Sequence, residues 1–208
     1  MKHLFTFLLV ILITGSVAAQ PSKTTYKQDS IQIRTTIMSF YNWYQHNYSK
    51  LEFGDLYVGT KSPGKPPYKI DWKKAEKYFV KIRTYAPQLG EAFIVNLRKF
   101  LHECDSAFKK EPDGEVPYGF DYDWYTNSQE EASYLTDELK KAKQWIITVD
   151  GLNASVDVLG FYMDGTKKIE TVVMCFVLKK EKGKWKIAKI GCPYNEPPPM
   201  EEIKTPGQ

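Results

Sequence analysis

The amino-acid sequence predicts an α+β fold, in which helices of the N-terminal half pack on a curved antiparallel sheet formed by the C-terminal half. Apolar residues recur at helical spacing before residue 110 and in alternation after residue 144. Turn dipeptides such as Asp164-Gly165 separate the alternating segments closely enough for antiparallel neighbours. With 208 residues, 42% of them hydrophobic, the chain is long enough for one domain with its own core.

Residues 1–19 have the pattern of a secretory signal peptide. Lys2 gives a positive charge, the apolar run 4–13 is too short to span a bilayer, and small residues precede a cleavage point before Gln20. An uncleaved anchor is the alternative, whereas a lipoprotein anchor is disfavoured because no cysteine follows the apolar run. We therefore expect an exported protein, periplasmic or secreted, with no membrane contact after cleavage.

The remainder of the chain is predicted to form one domain. Residues 20–29 are expected to be a flexible lead-in, 30–195 the folded domain, and the proline-rich segment 196–208 a disordered tail. The formal net charge of +4 is modest, and no basic stripe with interleaved aromatic residues occurs. Nucleic acid is therefore not an expected partner.

Helices account for most of the N-terminal half. The first is predicted to begin at Asp29 and Ser30 and to end near Lys50. Its apolar face consists of Ile33, Ile37, Phe40, Tyr41, Tyr44 and Tyr48. Asp71 can cap a second helix, which ends before Pro87. A third helix has the apolar side Leu89, Phe93, Leu97, Phe100, Leu101, Cys104 and Phe108.

Two proline- and glycine-containing segments, 51–70 and 111–128, are predicted to be loops. The second is too long for a plain connector, and loops of that length are often functional. A short helix is expected over 128–143, with acidic residues early and lysines late, as the helix dipole favours.

Four antiparallel strands are predicted over 145–192. The first two have buried faces made of Trp145, Ile147, Val149, Ala154, Val156, Val158 and Tyr162. The third, 171–178, is apolar on both faces, which is typical of a strand covered on both sides or of a strand in a strongly curved sheet. In the last, 185–192, the alternation changes phase, so a β-bulge is expected near Ala188 or Lys189.

The three cysteines leave the disulfide pattern open. Cys175 and Cys192 lie on adjacent strands, but symmetric pairing about Gly183 does not set them opposite each other. Cys104 can reach either of them if its helix covers the sheet. Three buried, unpaired cysteines are an equal alternative.

Motifs for metal binding or catalysis are absent from the sequence. His46 and His102 have no second histidine or carboxylate at metal-ligand spacing, and both are expected to be solvated or packed. Asp121 and Asp123, within the aromatic segment 120–125, are the close carboxylate pair whose setting is of functional interest. A shared cation is conceivable, but capping of the following turn is the favoured interpretation. We predict no cofactor and no metal.

The order of elements resembles the DUF3828 family of exported bacterial proteins, within the NTF2-like (cystatin-like) group. The matching segments are Phe40-Tyr41-Asn42-Trp43-Tyr44, Phe120-Asp121-Tyr122-Asp123-Trp124, Asn127-Ser128-Gln129-Glu130 and the ending Gly183-Lys184-Trp185-Lys186-Ile187. Glu130 departs from the family pattern, which has Asp there. The resemblance implies helices packed in the concavity of a curved sheet and no common activity.

A pocket in that concavity is the expected ligand site. Its predicted lining is aromatic, and polar side chains are placed near its mouth. The aromatic residues are Tyr41, Tyr44, Tyr48, Trp145 and Trp185, and the polar ones are Asp121, Asp123 and Gln129. The sequence thus favours a non-enzymatic module that binds a small ligand or an envelope protein.

Two alternatives remain open. An NTF2-like enzyme would use a carboxylate buried in the cone, with Asp157 and Asp121 as candidates. An interaction subunit would pair through an exposed sheet edge with a partner or with a second copy, giving a homodimer.

Overall fold

A computed structural model describes residues 23–110, 112 and 117–192. The expected signal peptide at 1–19 and the expected tail at 196–208 lie outside the described residues. The architecture is α+β, with helices packed on a four-stranded antiparallel sheet, and this confirms the predicted fold class.

The helices follow the apolar periodicity of the sequence. They are α1 (Lys23–Asn47), α2 (Trp72–Tyr85), α3 (Glu91–Lys110) and α4 (Ala132–Lys141), and a short 3-10 helix, Tyr48–Leu51, continues α1. Asp71 caps α2 as predicted, because its side chain accepts the Lys74 N–H at 3.2 Å. The predicted start of the fourth helix at residue 128 is wrong, since the Ser128 hydroxyl instead accepts the Glu130 N–H in a turn before α4.

The first helix begins earlier than predicted. It starts at Lys23, within the expected lead-in, whereas Asp29 and Ser30 lie inside it. Asp29 is buried and binds the sheet instead of capping the helix. The Tyr26 hydroxyl donates to the Ile147 carbonyl at 2.5 Å, which connects the early turns of α1 to the sheet.

The large sheet is a meander with the order β3-β4-β5-β6. Its strands are β3 (Gln144–Asp150), β4 (Asn153–Asp164), β5 (Lys167–Glu181) and β6 (Lys184–Ile190). The register of β5 and β6 pairs Val177 with Lys189 and Leu178 with Ile187. Ala188 is therefore the extra residue, and the predicted bulge in β6 is confirmed.

The third strand of the meander is fully covered on one face and only partly on the other, where Cys175 is buried, so the first predicted alternative, coverage of both faces, does not hold along the whole strand. Val172 and Val177 are 44% and 38% exposed, whereas Met174, Phe176 and Leu178 are buried by the helices. The register of β4 and β5 shifts between Val158 and Leu159, where β5 contains one extra residue. The residues of β5 before Met174 therefore point to the opposite face from the one that simple alternation predicts.

A second, two-stranded sheet occupies the segment predicted to be a loop. Strands β1 (Tyr57–Gly59) and β2 (Tyr68–Ile70) pair antiparallel. The N–H of Ile70 donates to Asp105 of α3 at 3.0 Å, so this hairpin is held by a helix. Three-residue strands are too short to show alternation, which is why periodicity missed them.

The interior is filled by side chains of the helices. Along α1 the apolar face packs against the sheet, with the rings of Tyr41 and Phe176 5.8 Å apart between centroids. The β6 edge is covered by the α2–α3 connection, because Ile187 donates its N–H to Gln88 and accepts that of Gly90, both at 2.9 Å. Among the described helices, none combines the length and apolar composition needed to cross a bilayer.

Candidate functional site

The five predicted aromatic residues do not line one pocket. Tyr41 and Trp185 are buried in the core, and Tyr48 is 58% exposed. The Tyr41 hydroxyl donates to the Tyr125 carbonyl at 2.6 Å, and burial raises the pKa of Tyr41 well above its ordinary value. The predicted concave pocket is therefore corrected, because helix side chains fill the space in front of the sheet.

Tyr44 and Asp123 meet as predicted, but as parts of the folded framework. The Tyr44 hydroxyl donates to Asp123 Oδ2 at 2.6 Å, and Asp123 Oδ1 accepts the N–H groups of Tyr125 at 2.7 Å and Thr126 at 3.2 Å. Burial, with the neighbouring carboxylate, raises the pKa of Tyr44. The interpretation as a turn cap is confirmed for Asp123, whose acceptor capacity is largely used, but it is wrong for Asp121, whose carboxylate makes no hydrogen bond among the described residues.

Three of the predicted residues border one shallow cleft. Tyr44, Tyr48 and Asp123 line a space of about 390 Å³ beside the 3-10 helix. Asp121 and Gln129 are exposed and do not line this cleft, and the Gln129 amide donates to the Asp121 carbonyl at 3.0 Å.

Trp145 and Trp185 lie in two different settings. The Arg34 guanidinium stands 5.1 Å from the Trp145 ring centroid, and Trp145 Nε1 is buried with no hydrogen-bond partner among the described residues. Trp185 Nε1 donates to Asp29 Oδ1 at 2.8 Å, and the Lys180 ammonium donates to the same oxygen at 2.7 Å. Although burial by itself raises the pKa of Asp29, these two hydrogen bonds outweigh it, and the pKa is lowered.

A disulfide joins Cys175 and Cys192, the pair that symmetric strand pairing disfavoured. The bulge in β6 sets Gly191 against Cys175, whose carbonyl accepts the Gly191 N–H at 3.0 Å. Gly191, with φ of 99°, then turns the chain so that Cys192 reaches Cys175. Cys104 is free and buried, and burial raises the pKa of its thiol to about 12.

A second cleft, more enclosed than the one beside the 3-10 helix, lies where β6 ends. β6 pairs with β5 only from Phe176 onward, so earlier residues of β5 have β4 on one side and no described strand on the other. We call the space beside this free edge the β5 cleft, and its volume is about 430 Å³. It is lined by Thr126, Asn127, Ser128, Glu130, Tyr134, Leu135, Asp157, Thr171, Val172, Val173, Met174, Cys175 and Cys192.

The β5 cleft contains unpaired polar groups. Asp157 is half-buried, and neither it nor the Glu130 carboxylate has a hydrogen bond or ion pair within the described part of the chain. Sequence reasoning named Asp157 only as an enzyme candidate and did not place Glu130 in a site. The feature that brings Asp157 and Glu130 to one cleft is the end of β6 opposite Phe176, and its position depends on the register of the sheet.

The described residues contain no group of three His, Cys, Asp or Glu side chains able to hold a metal ion. Comparison of the chain with protein-family models, curated proteins and solved structures finds no match.

Proposed function

We propose that the protein is an exported, non-enzymatic binding module of the NTF2-like type and that the β5 cleft holds its ligand. The signal-peptide pattern of residues 1–19 supports export, and helices packed on an antiparallel meander agree with the family resemblance. One observation carries the choice of site: the half-buried Asp157 carboxylate, unpaired within the described residues, borders a cleft of about 430 Å³. Partly buried carboxylates ordinarily have partners, so a ligand is the natural one here.

Binding is favoured over catalysis by the state of the reactive groups. The hydroxyls of Tyr41 and Tyr44 donate to acceptors in the core, and the Cys104 thiol is buried with a raised pKa. Asp157 has no polar partner in the described structure that could orient it as a general base. Asp121, the other enzyme candidate, is exposed.

The test is an NMR screen with cationic, neutral and anionic fragments, read from the methyl signals of Leu135 and Met174, which line the cleft. We expect at least one fragment class to shift these signals. Val172→Phe should abolish the shifts by filling the cleft, because Val172 is an exposed wall residue. Val177→Phe is the matched control, since Val177 lies on the same strand with similar exposure outside the cleft. No shift from any class, or equal loss in both variants, would refute the proposal.

A second candidate function, self-association through a sheet edge, is favoured by the state of β3. Whereas residues 88–90 cover the β6 edge, the Ile147 carbonyl of β3 accepts a hydrogen bond from the hydroxyl of Tyr26, which is 44% exposed, and no described strand pairs with the other edge of β3. Residues 144–149 contain no lysine or proline to block pairing.

Light scattering at tens of micromolar protein tests this second function. Tyr26→Phe should increase the dimer fraction by freeing the Ile147 carbonyl, and Ile146→Lys should decrease it by placing a charge on the exposed face of the strand. A monomer in all three proteins would exclude edge pairing at these concentrations.

A further inference from the structure

The β5 cleft has a backbone wall as well as a side-chain wall. The Cys175 carbonyl accepts the Gly191 N–H, after which the chain turns away from β5 at Gly191. Residues 171–174 therefore have a strand neighbour only at β4 in the described structure. An unpaired strand edge offers N–H and C=O groups in the spacing that an added strand requires.

Within the described part of the chain, the charged residues that line the cleft are both acidic. They are Glu130 and Asp157, and no described lysine, arginine or histidine lines the same space. Two uncompensated carboxylates attract a cation, and their effect is stronger in a partly enclosed site than in open water. A cationic group on the ligand would supply the missing partner of Asp157.

Part of the remaining lining is apolar, and two of these side chains are exposed. Tyr134 is 58% exposed and Val172 is 44% exposed, whereas Met174, which also lines the cleft, is buried. Exposed apolar side chains grouped at one cleft mark a binding surface more than isolated ones do. The tyrosine ring also presents a face that attracts a cation.

We propose that the β5 cleft binds an extended peptide segment that carries a lysine or arginine side chain. This inference rests on the proposed binding function and names its ligand class. The peptide backbone pairs with the free edge of β5 at residues 171–174, a length of about 13 Å at the rise of a strand. Its basic side chain meets Asp157 and Glu130, and an apolar neighbour packs on Val172.

A peptide accounts for the cleft better than a small amine does. An amine would use the carboxylates and the tyrosine ring but would leave the edge of β5 unpaired. An extended chain uses both, because its backbone gives affinity and its side chains give selectivity. The two ligand classes are separated by blocking the backbone of the probe.

The experiment titrates three capped peptides into the full-length exported chain by calorimetry. They are acetyl-Ser-Val-Lys-Val-Ser-amide, the same peptide with glutamate for lysine, and the lysine peptide N-methylated at alternate amides. We expect the lysine peptide to bind and the other two to bind at least about tenfold more weakly, a difference of about 1.4 kcal/mol. Its affinity should fall with added salt because the carboxylates are only partly buried.

Substitutions test whether the lysine peptide binds in the β5 cleft. Asp157→Asn and Glu130→Gln should each weaken the lysine peptide severalfold, and Glu103→Gln, at an exposed position of α3, should not. Tyr134→Leu should weaken binding, whereas Tyr118→Leu should not, although both tyrosines are 58% exposed. These side chains are partly or fully exposed, so loss of folding is not the expected cause.

The outcomes separate this inference from the proposed function. If fragments bind in the cleft but the lysine and glutamate peptides, or the methylated and unmethylated ones, bind equally, the peptide class is refuted and the binding function stands. If the lysine peptide binds only after residues 193–208 are removed, the C-terminal segment of the chain is the occupant and the inference is refuted. If neither fragments nor peptides bind, both proposals are refuted.

Discussion

Asp123 and Asp157 are both partly buried carboxylates at the margin of one core, and their surroundings differ in a way that separates structure from function. Asp123 accepts a phenol hydroxyl and two backbone N–H groups, which fixes the turn before α4. The carboxylate of Asp157 accepts no hydrogen bond from the described residues, and it borders the β5 cleft. A carboxylate with satisfied acceptors stabilises the fold, whereas an unsatisfied one is available to a ligand.

The two faces of β5 also differ, one being buried and the other partly exposed. Substitutions on these faces are expected to give the largest difference in the free energy of unfolding. Phe176 faces the helices and is buried, whereas Val177 is 38% exposed on the opposite face. Phe176→Ala should lower the free energy of unfolding by about 3–5 kcal/mol because it leaves a cavity in a filled interior. Val177→Ala should lower it by less than about 1 kcal/mol. Urea unfolding measures both, and similar losses would contradict the one-sided packing.

The disulfide that borders the β5 cleft is expected to make the second largest contribution to the free energy of unfolding. Replacing both Cys175 and Cys192 by serine should cost about 3 kcal/mol, since the bond closes a loop of sequence separation 17. The measurement is urea unfolding of this variant and of the wild type with and without reductant. A wild-type stability unchanged by reductant would contradict the pairing, because Cys104 has no disulfide to lose.

The Asp29 side chain lies between α1 and the sheet, and the pH dependence of stability tests its hydrogen bonds there. Asp29→Asn should cost about 2 kcal/mol at pH 7, because hydrogen bonds from Lys180 and Trp185 to a buried carboxylate are weakened. Since the pKa of Asp29 is lowered in the folded state, its contribution is present above the unfolded value of about 3.9 and is lost as pH falls through the folded value.

Thermal unfolding at pH 7 and at successively lower pH measures this effect. The stability difference between wild type and Asp29→Asn should narrow below about pH 4. Asp150→Asn, at an exposed position, is the control and should show little difference at either pH. A difference that stays constant with pH would contradict the charged interaction.

The smallest expected change in stability comes from substitutions at Asp157 and at the partner of Asp123, which compare the two carboxylates directly. Tyr44→Phe should lower the free energy of unfolding by about 1.5–2 kcal/mol, because it removes the hydroxyl that donates to Asp123. Asp157→Asn should change it by no more than about 0.5 kcal/mol, since no described partner is lost. A large loss for Asp157→Asn would show that Asp157 is a structural carboxylate and would remove the basis of the proposed site.

Much of the fold could be predicted because the evidence was local. The alternation of β3 and β4, the Asp71 cap and the bulge at Ala188 are each visible within a few residues of sequence. The start of α1 was predicted too late, since Asp29 looks like a cap and is in fact bound by Trp185 and Lys180, which lie more than 150 residues away.

The site was predicted less well than the fold for the same physical reason. Aromatic residues at helical spacing, such as Tyr41 and Tyr44, indicate a buried face, and whether a ligand or another helix covers that face depends on how far the helices fill the concavity. In the described part of the chain the helices bury Tyr41, Tyr44 and Trp185 in the core, and the two clefts described above lie at the margins of that core.

The sequence alone determined the four helices, the four strands of the large sheet, their order and the β6 bulge, and it favoured the cap role of Asp123, because neighbouring residues decide these. Only the tertiary structure decided that Cys175 pairs with Cys192 and that Asp157 is left without a described partner. Both results depend on β6 ending opposite Phe176 while β5 extends further toward its N-terminal end. That register is set by contacts between residues far apart in the chain, which no local pattern records.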